Sequence, residues 1–292
     1  MIHIQRVGVL GAGLMGSGIA QVAASCGFDT VVRDVSDGAL ARGRAAVEKS
    51  LGKFVEKGQL HPDARDAALG RMTWTTDIGA VATTDIVIEA VTEDLALKTA
   101  LYRELHPRSD EATIFASNTS SLSIVTLAAA SGRPDRFVGL HFFNPVPLMP
   151  LVEVVRAVTT SEATFARALS FARSLGKDAV AARDGSGFIV NRLLVPYLLD
   201  AVRSLEQGVG GVADIDRAMM LGCGHPMGPF TLLDFVGLDT TVKIGEIMFD
   251  EFREPRFAPP ALLRRMVAAG WLGRKSGRGF YDYSVNPPAV AL

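Results

Sequence analysis

Apolar and polar positions follow two regimes along this chain. Through the first half, short apolar runs bounded by turn residues recur at 7–10, 28–32, 86–89, 113–117 and 137–141. Runs of this length without polar alternation predict strands buried on both faces. Two more, 152–155 and 179–182, read as strands as well, and helical patterns lie between. Strands that alternate with helices predict right-handed βαβ units and a mostly parallel sheet. From Phe188 onward the helical period dominates, at 188–206, 212–220, 231–235, 238–252 and 260–269. Glycines and prolines at 208–211, 222–228 and 255–260 punctuate these helices. The change falls at Asp184-Gly185-Ser186-Gly187. The pattern therefore predicts an α/β domain over 1–184 and an all-α domain over 185–292, with a loose tail at 286–292.

The first apolar run stops at Gly11-Ala12-Gly13-Leu14-Met15-Gly16, and a helical pattern follows through Ile19, Ala20, Val22 and Ala23. Gly11 suits the tight turn, Gly13 lets backbone approach a pyrophosphate, and Gly16 lets helix pack on strand. The glycine spacing alone is weak. The strand–turn–helix context strengthens it, and so does Asp34 at the end of the second run, where a ribose-binding acid is expected. The first domain is then of Rossmann type. Asp34 favours NAD, because a carboxylate repels a 2′-phosphate, while Arg33 beside it leaves some NADP use open.

Between Asp34 and Met72 lies a connection longer than the fold requires, helical in pattern and broken near Gly58 and Pro62. It carries Arg42, Arg44, Lys49, Lys53 and Lys57. Composition favours a solvated helical hairpin over a basic arm for a polyanion.

Ligands of open parallel sheets bind outside the carboxyl ends of the strands. Ser117 and Asn118 end the fifth run and His141 the sixth, while Glu153 lies inside the apolar LVEVV. A lone histidine at a strand end is more often structural than catalytic. A glutamate between Val152 and Val154 needs a partner, because a buried carboxylate is costly alone. Together they suggest a His–carboxylate dyad, the acid fixing the tautomer and favouring the imidazolium. Asn191, in GFIVNRLL, reads as a cap residue or, at the domain junction, as a group facing a cleft.

Bulk properties remove several function classes. With 30 basic against 31 acidic residues, nothing argues for nucleic acid or an anionic membrane as partner. No apolar stretch is long enough to span a bilayer. The first residues run into the first strand without a charged leader, which predicts a cytoplasmic protein. Cys26 and Cys223 are too few for a disulfide framework, and Cys26 is expected to be buried on its helix. His3, His61, His106 and His225 lack ligand spacing, so no metal site is expected. Gly185-Ser186-Gly187 does not form a nucleophile elbow.

The stretches GAGLMGSGIA, ASNTSSL, GLHFFNPVP, LVEVV, SGFIVNRLLVPYL, HPMGPFTLLDFVGLDT and KSGRGFYDY together resemble the L-3-hydroxyacyl-CoA dehydrogenase family, through essentially the whole chain. The resemblance is strongest to its bacterial 3-hydroxybutyryl-CoA branch. It implies a Rossmann domain, a helical domain that dimerises, and reversible NAD-dependent oxidation of an (S)-3-hydroxyacyl-CoA. It also implies roles: His141 as base, Glu153 as its partner, and Ser117 and Asn191 as hydrogen-bond donors to the reacting oxygen. Gly11, Gly13, Leu14, Met15, Gly16 and Asp34 would hold NAD. Glu89, Glu93, Lys98, Ser117 and Asn144 would line the cofactor site further along. Ser50 and Lys57 match positions that contact coenzyme A, which reverses the composition argument for the hairpin. Pro150 departs from the family, standing where many relatives carry lysine. Two other readings stay open: a dehydrogenase of a free hydroxy acid or sugar acid, and a catalytically silent nucleotide-binding module.

Overall fold

The first apolar run forms β1 (Arg6–Leu10), and the glycine turn leads into α1 (Leu14–Ser25). The computed structural model describes residues 4–292. It divides the chain into two units, one ending at Phe188 and the other running Ile189–Leu292.

In the first unit, β2 (Asp29–Arg33) is followed by the hairpin helices α2 (Asp37–Glu56) and α3 (Pro62–Gly70). Then come β3 (Met72–Thr75), α4 (Ile78–Ala82), β4 (Ile86–Glu89) and α5 (Leu95–Leu105). β5 (Ile114–Ser117), α6 (Ile124–Ala130) and β6 (Phe137–Phe142) follow. β7 (Leu151–Arg156), α7 (Glu162–Ser174) and β8 (Asp178–Arg183) complete it.

The eight strands run in the order β3-β2-β1-β4-β5-β6-β7-β8. Every neighbouring pair is parallel except β6 and β7. The order reverses direction beside β1, which opens a crevice at the carboxyl ends of β1 and β4. Two glycines are forced there. Gly11 has φ +102°, and a Cβ on it would meet the Ala90 carbonyl at 2.7 Å. A Cβ on Gly16 would lie 1.8 Å from the Gly11 carbonyl oxygen, so α1 can pack this closely only without a side chain. β3 is the strand that the apolar runs miss. It is short, sits at the sheet edge and alternates Met72 and Trp74 with threonines, so it never forms a run.

The second unit holds α8 (Val190–Glu206), α9 (Val212–Cys223), α10 (Pro229–Val236), α11 (Leu238–Phe252) and α12 (Ala261–Ala268). They surround a core that includes Leu199, Phe230, Leu233, Phe257 and Phe280. A final pair, β9 (Tyr281–Asp282) and β10 (Ala289–Val290), is antiparallel. Asp234 pins this end by accepting from the Phe280 and Tyr281 N–H groups and the Tyr283 hydroxyl. The expected loose tail is thus ordered as far as β10, with Ala291 N–H bonded to the Phe280 carbonyl.

By its contacts the first unit runs on through Phe188. Asp184 accepts from the backbone of Ile124 and Val125 at the start of α6. Ser186 bonds the Ser121 carbonyl, and Phe188 joins the first unit's core. Cys26 also corrects an expectation. It caps α1 just beyond the helix, its N–H bonded to Val22 and Ala23, and its side chain is exposed, as is that of Cys223. Among the described residues no helix is long and apolar enough to cross a membrane, and no cluster could hold a metal. His3 lies outside the described residues.

Candidate active site

The glycine turn prepares an anion site. Gly13 caps α1 without a side-chain acceptor, and the first turn contains no acid. Its N–H groups and the positive end of the helix dipole are therefore available. A Cβ at Gly13 would meet nothing within 4 Å, so the approach is open. Asp34 accepts from Ala12 N–H through Oδ2 and from Val35 N–H through Oδ1, both at 2.7 Å. It therefore braces the turn and keeps lone pairs for a ribose hydroxyl. Gly13, Leu14, Asp34, Arg42 and Asn144 line a cavity of about 510 Å³. Helix end and acid together fit an NAD molecule. Met15 instead packs partly buried against the core.

At the ends of β4 and β5 lies a buried charge cluster. Lys98, 1% exposed, bonds Glu89 at 2.6 Å and Glu93 at 3.0 Å. Glu89 also accepts from the Val91 N–H at 2.8 Å and the Ser117 hydroxyl at 2.7 Å. Burial pushes its carboxyl up, against the opposing pull of Lys98 and of the Ser117 and Val91 donors. Glu93 gathers the loop after β5, accepting from the Thr119 hydroxyl, the Ser120 N–H and the Ser121 hydroxyl. Burial raises its carboxyl too, but Lys98, Thr119 and Ser120 together bring it below its ordinary value. Of the three charged residues expected beside the cofactor, only Glu93 keeps notable side-chain exposure, at 24%.

Ser117 takes a different task from the one the resemblance implies. It is fully buried, and its single proton goes to Glu89, so it has no donor left for a substrate oxygen. Ser120, on the same loop, is half-buried. Its N–H is fixed by Glu93, and its hydroxyl makes no hydrogen bond to the described residues. The ASNTSSL motif offers three serines, Ser117, Ser120 and Ser121, and their burial and hydrogen bonds separate them.

His141 and Glu153 stand opposite one another in the antiparallel pair of β6 and β7. Nδ1 lies 2.6 Å from Oε2, and the side chains are 7% and 1% exposed. The imidazole ring packs on Phe143 and Phe188, at 4.5 and 5.6 Å between centroids. With Nδ1 engaged, Nε2 is the nitrogen left for a ligand. Asn118 accepts the Phe142 N–H through Oδ1 at 2.9 Å, which ties the serine loop to the strand that carries His141. Asn191 stands in the first turn of α8, in the other unit.

A smaller cavity of about 150 Å³ is lined by Ser50, Lys53, Phe54, Lys57, Pro147 and Leu148, among others. Ser50, Lys53, Phe54 and Lys57 follow the i, i+3, i+4, i+7 spacing of one helix face. The family resemblance points to the first and last; Lys53 counts in the sequence only as one of the hairpin's charges and Phe54 not at all, although the spacing already joins all four.

An anion-seeking helix end beside a ribose-seeking acid, with a buried histidine–glutamate contact in the same sheet, defines the class: an NAD-dependent oxidoreductase on a doubly wound fold. The family model for the NAD binding domain of 3-hydroxyacyl-CoA dehydrogenase matches residues 6–185, and the model for its C-terminal domain matches 187–283. The chain belongs to the 3-hydroxyacyl-CoA dehydrogenase family. It is 51% identical over 282 residues to a 3-hydroxybutyryl-CoA dehydrogenase of Mycobacterium tuberculosis, covering 96% of this chain and 99% of that protein. Pig mitochondrial hydroxyacyl-coenzyme A dehydrogenase is 47% identical, over 97% of this chain and 92% of its own. The crystal structure of (S)-3-hydroxybutyryl-CoA dehydrogenase from Ralstonia eutropha superposes with a TM-score of 0.94 at 45% identity, covering 97% of this chain and 100% of that one.

Proposed function

We propose that this chain oxidises (S)-3-hydroxybutyryl-CoA to acetoacetyl-CoA, reversibly, with His141 as general base and Glu153 as its partner. The observation that carries this reading is the buried contact of 2.6 Å between His141 Nδ1 and Glu153 Oε2. Bound NAD supplies the hydride acceptor. The turn from Gly11 to Gly16, including Leu14 and Met15, would hold its pyrophosphate, and Asp34 a ribose, with Asn144 also lining that cavity. His141 takes the hydroxyl proton at Nε2, and Glu153 steadies the imidazolium that forms. Ser120 holds the oxygen as it becomes a carbonyl, and the family resemblance gives Asn191 the same task. Ser117, Glu89, Glu93 and Lys98 hold the loop that carries Ser120. Ser50 and Lys57, on the face of α2 that lines the smaller cavity, take coenzyme A.

The second unit exposes Leu193, Met220, Leu221 and Phe235, an apolar surface that supports a homodimer formed through this unit. Two free, exposed thiols fit a reducing, cytoplasmic setting.

The test is steady-state kinetics with acetoacetyl-CoA and with free 3-hydroxybutyrate, each with the NAD and NADP forms of the cofactor. Turnover of the thioester with NADH is expected to dominate. Preference for the free acid moves the enzyme to the hydroxy-acid branch. Equal efficiency with both cofactors removes the assignment of Asp34. No turnover at all leaves a silent nucleotide-binding module.

A further inference from the structure

The loop between β6 and β7 serves two cavities at once. Asn144, Pro145, Val146 and Pro147 line the nucleotide cavity, while Pro145, Pro147 and Leu148 line the smaller one. The loop has little support of its own. Pro145 and Pro147 have no N–H to donate, and the N–H groups of Leu148 and Met149 both turn back to the Pro145 carbonyl. On one side Val146 is buried against α1, where a Cβ added to Gly18 would come within 2.9 Å of it. On the other side is Lys177, one residue before β8. Its Nζ donates to the Val146 carbonyl at 2.7 Å and the Met149 carbonyl at 2.8 Å. Lys177 has no carboxylate partner among the described residues, so its ammonium is given to this loop.

We propose that Lys177 is a positioning residue that sets the loop 144–149 between the two cavities, and so governs affinity for both occupants without entering the proton transfer. A charged donor can satisfy two carbonyls of a loop that lacks ladder bonds, and such bonds are stronger than neutral ones. Because one loop is a wall of both cavities, its displacement moves both walls together. Burial pushes the Lys177 pKa down, and the nearby Cys26 side chain offsets part of that shift. The inference rests on the reading that the smaller cavity takes coenzyme A.

The experiment compares Lys177→Met, which keeps the aliphatic stem, with Lys177→Arg. NADH affinity is read by fluorescence titration, and KM and kcat are read with acetoacetyl-CoA. In Lys177→Met, Kd for NADH and KM for acetoacetyl-CoA should both rise about three- to tenfold, part of what a charged hydrogen bond contributes, while kcat stays nearly unchanged. Lys177→Arg should recover most of both. Lys177→Gln keeps a donor for one carbonyl, and should show an intermediate rise if the Met variant folds poorly. Wild-type affinities in the Met or Gln variant overturn the proposal, as does a loss confined to kcat or an Arg variant no better than Met. If the unmutated protein does not turn over acetoacetyl-CoA, the substrate reading fails by itself. The Lys177 proposal is then decided by NADH affinity alone.

Discussion

The Ser117 hydroxyl donates to Oε2 of Glu89 at 2.7 Å, deep beneath the loop that follows β5. That bond sorts the serines of ASNTSSL by physical duty. Ser117→Ala should leave Glu89 one donor short and cost about 1–3 kcal/mol of stability, the penalty of an underbonded buried group. Ser120→Ala should instead lower kcat with acetoacetyl-CoA by roughly tenfold or more, as the loss of one donor to a developing charge does, and leave the melting temperature almost unchanged. Urea unfolding and turnover, measured on both variants, check the division. A Ser117→Ala protein of normal stability that has lost turnover would reverse it.

His141 and Glu153 should behave as one unit. Replacing His141 with Gln removes the proton acceptor and should lower turnover by about 10²–10⁴-fold, with NADH affinity retained. Glu153→Gln keeps the shape, loses the charge beside the imidazolium, and should also slow turnover severely. Because the two are coupled, the double variant should be far less impaired than the product of the single defects. Multiplicative losses would show independent action, and near-normal turnover by His141→Gln would reject the mechanism.

Lys57 caps the carboxyl end of α2 beside the smaller cavity. Lys57→Ala should raise KM for acetoacetyl-CoA by the equivalent of about 1–2 kcal/mol, less at high salt. A truncated thioester that lacks the nucleotide should not feel the change. Equal losses on both substrates would return the hairpin to a solvated charged face.

Glu93 carries a pH dependence whose sign is fixed. Its carboxyl lies below the ordinary value of 4.5 once Lys98, Thr119 and Ser120 have outweighed burial. An acid held low in the folded protein contributes stability above its unfolded pKa, and that contribution is lost as pH falls through the folded one. The stability gap between the unmutated protein and Glu93→Gln should be full at neutral pH and shrink as pH drops below 4.5. Urea unfolding at a series of pH values reads this directly. A gap that widens on acidification would contradict the assignment.

Local pattern carried much of this protein. Short apolar runs marked seven of the eight strands of the large sheet; the inner ones lack polar alternation because both their faces are buried, while β8 is a largely exposed edge strand. Gly11 and Gly16 announced the turn because no side chain fits at those places. The acid within LVEVV announced a partner because a carboxylate is not buried alone. Tertiary structure decided what pattern cannot hold. β3 exists because β2 offers it an edge to pair with. Cys26 is exposed because α1 ends one residue before it. Which serine braces and which stays free depends on a glutamate nearly thirty residues earlier in the chain, brought close by the pairing of β4 with β5. The same holds for Lys177, whose duty depends on two carbonyls about thirty residues away. Sequence records chemistry and local period, while the use of each proton depends on neighbours that only the folded sheet brings together.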